Sequence, residues 1–347
     1  MRQISEAGWQ IGHMKKGPGN RLSDVPGVRV GHATVRGARH ATGVTVILPC
    51  EDNMYARKLV AAAHVLNGFG KTQGLVQMEE LGTLETPIAL TNTLNIGRVH
   101  DALTGYMIDR CRREHIALQS VNPVVGECND ARMNEITERV VTGEHVLEAI
   151  RTASADFETG DVGAGTGTVC FGLKGGIGTA SRLVTFGKEV YTLGVLVQSN
   201  CGTLENLCIG SERVGERLAR KIRTRKEEPD RGSIMMVLAT DLPVSSRQLG
   251  RIVRRMSAGL ARCGSYFGHD SGDVLIGFST ANRIPHGGMH RVMQVSMVTE
   301  HTLEFAFEAA AEAAQEAVLN SLISAHDGVD LEGRPVFSLA GLLKEGE

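Results

Sequence analysis

The chain has 347 residues, of which 42% are hydrophobic and 22% charged, and its net charge is −2 at pH 7. This length allows one large domain or two, with about three quarters of the unfolded surface buried. The near-neutral charge gives no reason to expect a nucleic-acid partner, and no apolar stretch is long enough to span a membrane.

Cysteine usage and the first residues bear on the compartment. The seven cysteines are an odd number and form no CxxC pair, which argues against a disulfide framework and against a zinc ribbon. Free thiols in a reducing compartment are the simpler interpretation. Residues 1–20 lack the uninterrupted apolar run of a secretory signal and are interpreted as a loose or accessory leader. We therefore expect a cytoplasmic protein.

The first part of the chain predicts strands and helices in alternation. Apolar patterning predicts three strands, at 28–35, 43–48 and 87–90. It predicts three helices, at 56–67, 96–112 and 142–153, the last with Thr142 as a possible N-cap. A glycine-rich stretch, 160–178, follows these elements, and the apolar run 190–198 is typical of a strand buried on both faces.

The second part continues in the same way. Residues 204–226 combine a turn with a charged helix that breaks at Pro229. Strands are predicted at 234–239 and 273–279, separated by a helix after Pro243 whose apolar stripe is Leu249, Ile252, Val253, Met256 and Leu260. A long Ala/Glu helix is predicted at 304–325, with its packing stripe on one face at a 3.6-residue period. Interspersed strands and helices predict a layered α/β fold with more than one sheet layer.

The junction between Gly232 and Ser233 carries the main functional hypothesis. It separates a charged run, 220–231, from the apolar run 234–239. A small residue followed by a hydroxyl residue at such a place is where a chain can cut itself. The cut would give Ser233 a free α-amine, whose ordinary pKa of about 7.7 suits a general base. One residue would then supply both nucleophile and base; the alternative is an ordinary loop serine before a strand.

Polar residues at the ends of two other predicted strands extend this hypothesis. If the strand that ends at Asn200 runs antiparallel to the strand that begins at Ser233, the two residues meet at one edge. The Asn200 amide could then donate to a developing oxyanion. Ser271 and Asp273 could hydrogen-bond the new amine and hold it against the hydroxyl. Each of these residues could equally be an ordinary polar residue at a strand end.

Glu127 follows an apolar run in the segment 123–130. A carboxylate close to the nucleophile could bind the free amine of a substrate. The alternative is a surface turn in which residues 129–130 cap the next helix.

Three other patterns do not support a site. The glycine-rich segment 160–167 fits neither dinucleotide nor phosphate-loop spacing. His286 and His290 have helical spacing, but glycines at 287–288 make a helix there improbable, so no metal site is expected. Cys201 has no histidine at a spacing that would indicate a thiol nucleophile. We expect no metal or cofactor.

In their order along the chain, these motifs resemble the family of L-aminopeptidase/D-Ala-esterase/amidases and β-peptidyl aminopeptidases, which are self-cleaving serine peptidases. The matching segments spread over about residues 20–325 and are 22–32, 66–70, 86–93, 123–127, 160–167, 174–182, 194–200, 232–233 and 271–279.

The resemblance implies an α/β fold that is a four-layer αββα sandwich resembling the N-terminal-nucleophile hydrolases with different connectivity. It implies one catalytic domain, 1–347, cut at Gly232–Ser233 into chains 1–232 and 233–347. These chains would stay associated and assemble as a homo-oligomer, usually a tetramer. The implied substrates are small peptides, amides or esters with a free amine. Two alternative functions remain open: an acyltransferase of related architecture and an uncleaved, non-catalytic binding protein.

By matching position, the resemblance also implies roles for single residues. Ser233 would be the nucleophile, Asn200 would stabilise the oxyanion, and Ser271 with Asp273 would orient the amine. Glu127 would receive the substrate amine. The chain departs from the family pattern at Asn129, where certain relatives carry a tyrosine, and this puts the substrate preference in doubt. Asp273, where some relatives have glutamate, is a smaller change.

Overall fold

The computed structural model describes residues 2–222, 232–287 and 292–344. These parts of the chain contain sixteen strands and eight α-helices. The strands are β1 (Arg29–Gly37), β2 (His40–Leu48), β3 (Arg57–Gly68), β4 (Thr83–Leu84), β5 (Ile88–Asn92), β6 (Val124–Cys128), β7 (Val169–Cys170), β8 (Leu173–Lys174), β9 (Ile177–Phe186), β10 (Glu189–Asn200), β11 (Cys208–Ile209), β12 (Glu212–Arg213), β13 (Ser233–Thr240), β14 (Gly272–Pro285), β15 (Gly328–Val329) and β16 (Pro335–Val336). The helices are α1 (Leu75–Leu81), α2 (Ile96–Arg113), α3 (Gly143–Arg151), α4 (Gly215–Ile222), α5 (Ser246–Val253), α6 (Met256–Arg262), α7 (Leu303–Ser324) and α8 (Leu339–Lys344).

Two β-sheets pack face to face. The smaller has the strand order β1-β2-β5-β6 and the larger the order β4-β3-β14-β13-β10-β9. Within the larger sheet, β13 runs antiparallel to β10 and parallel to β14. The space between the sheets is filled by one apolar cluster to which both contribute, including Leu90 and Val124 from the smaller sheet and Met235, Val237 and Ile276 from the larger.

Helices cover the outer face of each sheet. α2 and α3 pack on the smaller sheet through a cluster that includes Val99, Leu103, Val146, Val44 and Val46. α5 and α7 pack on the larger sheet through a second cluster, which includes Leu249 and Ala313 of the helices with Val195 and Ile234 of the strands, and α6 packs against α7. The layer order is therefore αββα, and the predicted α/β fold is confirmed. No helix among the described residues is both long and apolar enough to cross a membrane.

Most predicted elements are present. The predicted strands correspond to β1, β2, β5, β10, β13 and β14. Three predicted helices correspond to α2, α3 and α7, and Thr142 is the N-cap of α3. The charged segment is helical over α4, whereas the predictions on Pro229 and His290 concern residues outside the described ranges.

The helix predicted at 56–67 is wrong, because this segment forms strand β3. Leu59 and Ala61 face the cluster between the sheets, whereas Val60 and Ala62 face the helices that cover the larger sheet. A strand buried on both faces has no polar alternation, so its alanine-rich run resembled a helix. Antiparallel pairing with β14 overrides the helix propensity of alanine.

The interpretation of residues 1–20 as a loose leader is also wrong. Ile4 and Ile11 are buried in the cluster beneath α7. The backbone N–H of Ile4 donates to Asn320 Oδ1 at 2.8 Å, and Lys16 Nζ donates to Glu316 Oε1 at 2.6 Å. The polar side chains of α7 thus hold this segment in place, which its low hydrophobicity did not reveal.

Two further details differ from the prediction. The helix after Pro243 is divided into α5 and α6, although its apolar stripe stays buried. α7 was expected to bury one stripe, but every residue from Ala309 to Ser324 is buried. Its other side is covered by the N-terminal segment, α6 and α8, so α7 is a central helix rather than a surface one.

Candidate active site

Asn200 and Ser233 are direct partners in the larger sheet. β10 and β13 are antiparallel, as the sequence hypothesis required, and Asn200 is registered with Ser233. Asn200 Nδ2 donates to Ser233 Oγ at 3.3 Å. Ser233 is only 4% exposed. The serine hydroxyl therefore lies at the end of two inner strands of the sheet, with an amide donor already directed at it.

A second donor reaches the same hydroxyl from the smaller sheet. Asn129 directly follows β6, and its backbone N–H donates to Ser233 Oγ at 3.3 Å. Its side chain turns to the loop, where Oδ1 accepts the N–H of Ala131 at 2.9 Å. The sequence had drawn attention to the Asn129 side chain, whereas it is the backbone that meets the serine. A backbone donor carries no residue signature, so no sequence signal could have identified it.

The orientation of the Asn200 amide is determined by its other end. Asn200 Oδ1 accepts the backbone N–H of Val169 at 3.0 Å. The oxygen of a side-chain amide only accepts and the nitrogen only donates, so this bond places Nδ2 towards Ser233. The glycine-rich segment that includes β7 is thus part of the site.

Gly232 occupies a position that excludes any side chain. A Cβ there would lie 2.1 Å from Asn200 O and 2.5 Å from Cys201 Cα. Its carbonyl oxygen accepts the backbone N–H of Gly272 at 3.1 Å. The carbonyl of the peptide bond between Gly232 and Ser233 is therefore hydrogen-bonded to the neighbouring strand.

Ser271 and Asp273 flank the residue that pairs with Ser233. β13 and β14 are parallel, and Ser233 is registered with Gly272. Both flanking side chains are buried, and Ser271 Oγ donates to Asp273 Oδ1 at 2.7 Å. The two side chains sit on one face of the strand as a joined pair, beside the backbone of Ser233.

Glu127 is the fourth residue of β6 and is 3% exposed, so the surface-turn alternative is wrong. Glu127 Oε1 accepts the backbone N–H of Lys71 at 3.0 Å, and the Thr93 hydroxyl donates to Oε2. These contacts fix the carboxylate in place. Glu127 is two residues before Asn129, whose backbone N–H meets Ser233. Each carboxylate oxygen retains a lone pair for a further donor, so the group can bind a cation.

Cys128 also lies next to Ser233. It is fully buried, and its Sγ donates to the backbone oxygen of Gln198 at 3.3 Å. Burial raises the pKa of the Cys128 thiol well above its ordinary value, and the neighbouring Glu127 charge raises it further. The thiol is therefore protonated at neutral pH, as in an ordinary buried cysteine.

A separate group of titratable side chains joins the N-terminal segment to α7. Each ring nitrogen of His13 is 3.4 Å from a carboxylate oxygen, one of Glu308 and one of Glu312. Glu312 also accepts from Arg182 Nε at 2.8 Å. Arg182 already forms an ion pair with Glu312, so we interpret the group as contacts that attach the N-terminal segment to α7.

Comparison with known proteins covers almost the whole chain. A sequence model described as Peptidase family S58 matches residues 20–336. The chain is 36% identical, over 95% of its length and 89% of the relative, to the β-peptidyl aminopeptidase BapA of Sphingosinicella microcystinivorans.

Two solved structures show the same fold. The PH0078 protein from Pyrococcus horikoshii OT3 is 42% identical with a TM-score of 0.92, over 99% of this chain and 98% of that one. The L-aminopeptidase D-Ala-esterase/amidase from Ochrobactrum anthropi is 33% identical with a TM-score of 0.89, over 99% of each chain. That protein is described as a prototype for the serine aminopeptidases and as a new variant of the Ntn hydrolase fold.

Proposed function

The chain belongs to peptidase family S58 and is a serine aminopeptidase, and we propose that it cuts its own backbone between Gly232 and Ser233 and then releases N-terminal residues from small peptides, amides or esters. The observation that carries the proposal is the convergence of two hydrogen-bond donors on Ser233 Oγ. The two donors come from different sheets, so both sheets are needed to place them around Ser233 Oγ.

The first reaction is self-cleavage. Ser233 Oγ attacks the Gly232 carbonyl carbon, and the hydroxyl proton passes to the amide nitrogen as the C–N bond breaks. This shift leaves an ester and a free Ser233 amine; water then hydrolyses the ester to a Gly232 carboxylate and restores the hydroxyl. The Gly272 N–H that bonds the Gly232 oxygen lies where negative charge develops.

The second reaction is hydrolysis of the substrate. The free α-amine of Ser233 takes the proton from its own hydroxyl, and Oγ attacks the substrate carbonyl. Asn200 Nδ2 and the Asn129 N–H stabilise the oxyanion, and a single donor of this kind contributes about 3 kcal/mol in comparable enzymes. The protonated amine gives its proton to the leaving group, and water releases the acyl product. Ser271 and Asp273 hold the amine against the hydroxyl.

Glu127 supplies the selectivity for a free N-terminus. Its carboxylate is rigidly held by Lys71 and Thr93 and is buried, so a substrate ammonium would form a charge-assisted hydrogen bond with it. An N-acetylated substrate has no charge to place there and would leave the carboxylate without this partner.

We also infer that copies of the protein associate, as a homotetramer of cleaved units. Four apolar side chains in one short segment are exposed: Val292, Met293, Val295 and Met297. Adjacent exposed apolar residues are typical of protein interfaces.

All seven cysteines are free thiols, which supports a reducing, cytoplasmic compartment.

The test is a panel of aminoacyl p-nitroanilides, each supplied with a free and with an acetylated amine. The wild type should hydrolyse the free-amine series at least about tenfold faster, since loss of one charge-assisted bond costs more than 1.4 kcal/mol. The Ser233→Ala variant should be inactive on both series. Equal rates of the wild type on both would reject an aminopeptidase, and full activity of Ser233→Ala would reject the proposed nucleophile.

A further inference from the structure

Lys174 is a buried lysine that the reactions above do not use. It lies in β8 and is 2% exposed. Its Nζ donates to three backbone oxygens, those of Gly165 at 3.1 Å, Thr168 at 2.9 Å and Gly175 at 2.8 Å. These are the three donors of an ammonium group, each with a partner. Burying a charge is costly, whereas an apolar side chain of this size would fill the space without that cost.

One of these oxygens belongs to a peptide group that reaches the active site. The peptide between Thr168 and Val169 accepts at its oxygen from Lys174 Nζ and from the Gly175 N–H at 3.0 Å. The same planar group donates, through the Val169 N–H, to Asn200 Oδ1 at 3.0 Å. A bond from a cation at the oxygen polarises the peptide and strengthens the donor at its nitrogen.

The far end of this chain of hydrogen bonds is Ser233. Asn200 receives the Val169 N–H at its oxygen and donates from its nitrogen to Ser233 Oγ. We propose that Lys174 is a positioning residue for catalysis: it fixes the peptide between Thr168 and Val169 and thereby holds the Asn200 amide in the orientation that stabilises the oxyanion. This inference rests on the proposed function and adds a residue that acts only through Asn200.

The charge on Lys174 is sensitive to its surroundings. Burial lowers the pKa of Lys174 to about 7. The nearby carboxylates of Asp161 and Asp130 favour the charged form, as does Cys170, whereas Arg36 opposes it. Because only the charged form polarises the peptide, the contribution of Lys174 should be largest below its pKa and should decrease as the pH rises. A lysine that only fills space would show no such trend.

The decisive experiment is a double-mutant cycle between Lys174→Met and Asn200→Ala in the complete enzyme after self-cleavage, with both chains present. Asn200→Ala should lower kcat by roughly 10²–10³, the loss seen for other oxyanion donors. Lys174→Met should lower kcat on the order of tenfold with little change in KM, because it weakens that donor without removing it. In the Asn200→Ala background, Lys174→Met should change kcat by less than about twofold.

Two controls accompany the cycle. Lys58→Met removes another largely buried lysine, whose partner is Glu85 rather than a residue of the site, and kcat should stay unchanged. The ratio of wild-type to Lys174→Met kcat should also fall as the pH rises through about 7 to 9, since the wild type loses the charge and the variant never had it.

Each result decides the inference. Equal loss from Lys174→Met in both backgrounds, or no loss at all, overturns it. If neither Lys174→Met nor Lys174→Gln gives a folded enzyme, Lys174 serves folding and the inference is overturned as well. A fully active Ser233→Ala variant would instead overturn the proposed function, whereas an inactive Ser233→Ala beside a normal Lys174→Met removes the inference alone.

Discussion

At the scale of single residues, each side chain that is proposed to act in the site is itself held by hydrogen bonds to other residues. Asn200 is oriented by Val169, Glu127 by Lys71 and Thr93, and Asp273 by Ser271. Such supporting bonds hold the groups that are proposed to act in the reaction, so that these groups need not reorganise during it. The serine and its strand neighbours can be predicted from residue type, whereas these supports cannot.

Gly232 provides the sharpest prediction at this scale. Alanine at this position would place a methyl group 2.1 Å from Asn200 O, so the backbone at the proposed cut must shift. Displacing the reacting carbonyl by about 1 Å should slow self-cleavage on the order of 10²-fold. The rate is measured by following chain conversion on a denaturing gel.

The matched control is Gly105→Ala, in the interior of α2, where an added Cβ meets nothing within 4 Å. That variant should mature at the wild-type rate. Normal maturation of Gly232→Ala would show that the close approach to Asn200 does not shape the cut.

At the scale of elements, helix α7 connects the two parts of the chain, 1–232 and 233–347, that the proposed cut would separate. Arg182 in β9 forms ion pairs with Glu312 and Glu316 of α7, at 2.8 Å in each case, and all three side chains are buried. Lys16 of the N-terminal segment also pairs with Glu316. After self-cleavage, Arg182 and Lys16 would belong to chain 1–232 and α7 to chain 233–347. These pairs would then hold the two chains together.

Arg182→Met should therefore destabilise the protein strongly. It leaves two buried carboxylates short of a cation, and breaking a buried pair typically costs 3–5 kcal/mol, here about 3 because Lys16 remains. The measurement is the midpoint of urea unfolding. Arg112→Met, which removes an exposed pair with Asp109 on α2, is the control and should leave the midpoint unchanged. A similar small shift for both variants would contradict the role given to Arg182.

The elements also show what sequence patterns can and cannot predict. Strands that end at Asn200 or begin at Ser233 follow from apolar runs, and their meeting at one edge required only that they be antiparallel. β3 was not predictable in this way, because its alanine-rich run is buried on both faces. Nor was the parallel register that sets Gly272 beside Ser233, since pairing across distant strands leaves no local signal.

At the scale of the whole molecule, the order of motifs along the chain identified the family and the layered fold, which the comparisons confirm. What remained hidden are contributions of backbone and of buried charge. The Asn129 N–H has no residue signature, and nothing in the residues around Lys174 indicates that its side chain is buried against backbone oxygens. Both depend on which segments the complete fold brings together.

The pH dependence of stability is a property of this whole fold and contains a contribution from His32. His32 Nε2 lies 3.1 Å from Glu158 O, Nδ1 lies 2.9 Å from the Thr45 hydroxyl, and burial lowers the His32 pKa from 6.5 to about 4. As the pH falls, His32 is therefore protonated at a higher pH in the unfolded chain than in the folded protein. Stability should fall as the pH drops from 6.5 to about 4, by at most about 3 kcal/mol from this residue.

The prediction is checked by urea unfolding of the wild type and of His32→Gln across that pH range. The difference in unfolding free energy between the two should shrink as the pH falls, because the variant has no group to protonate there. His269→Gln, at a histidine whose side chain is 97% exposed, is the control and should follow the wild type. A difference that does not change with pH would contradict the low pKa of His32.

The most direct test of the central claim is the intact mass of the purified protein under denaturing conditions, together with its activity. For the wild type we predict two chains, 1–232 and 233–347, with a free Ser233 amine on the second, and hydrolysis of free-amine substrates. For Ser233→Ala we predict one inactive chain of 347 residues. A wild-type protein that is active as a single unbroken chain would contradict the account.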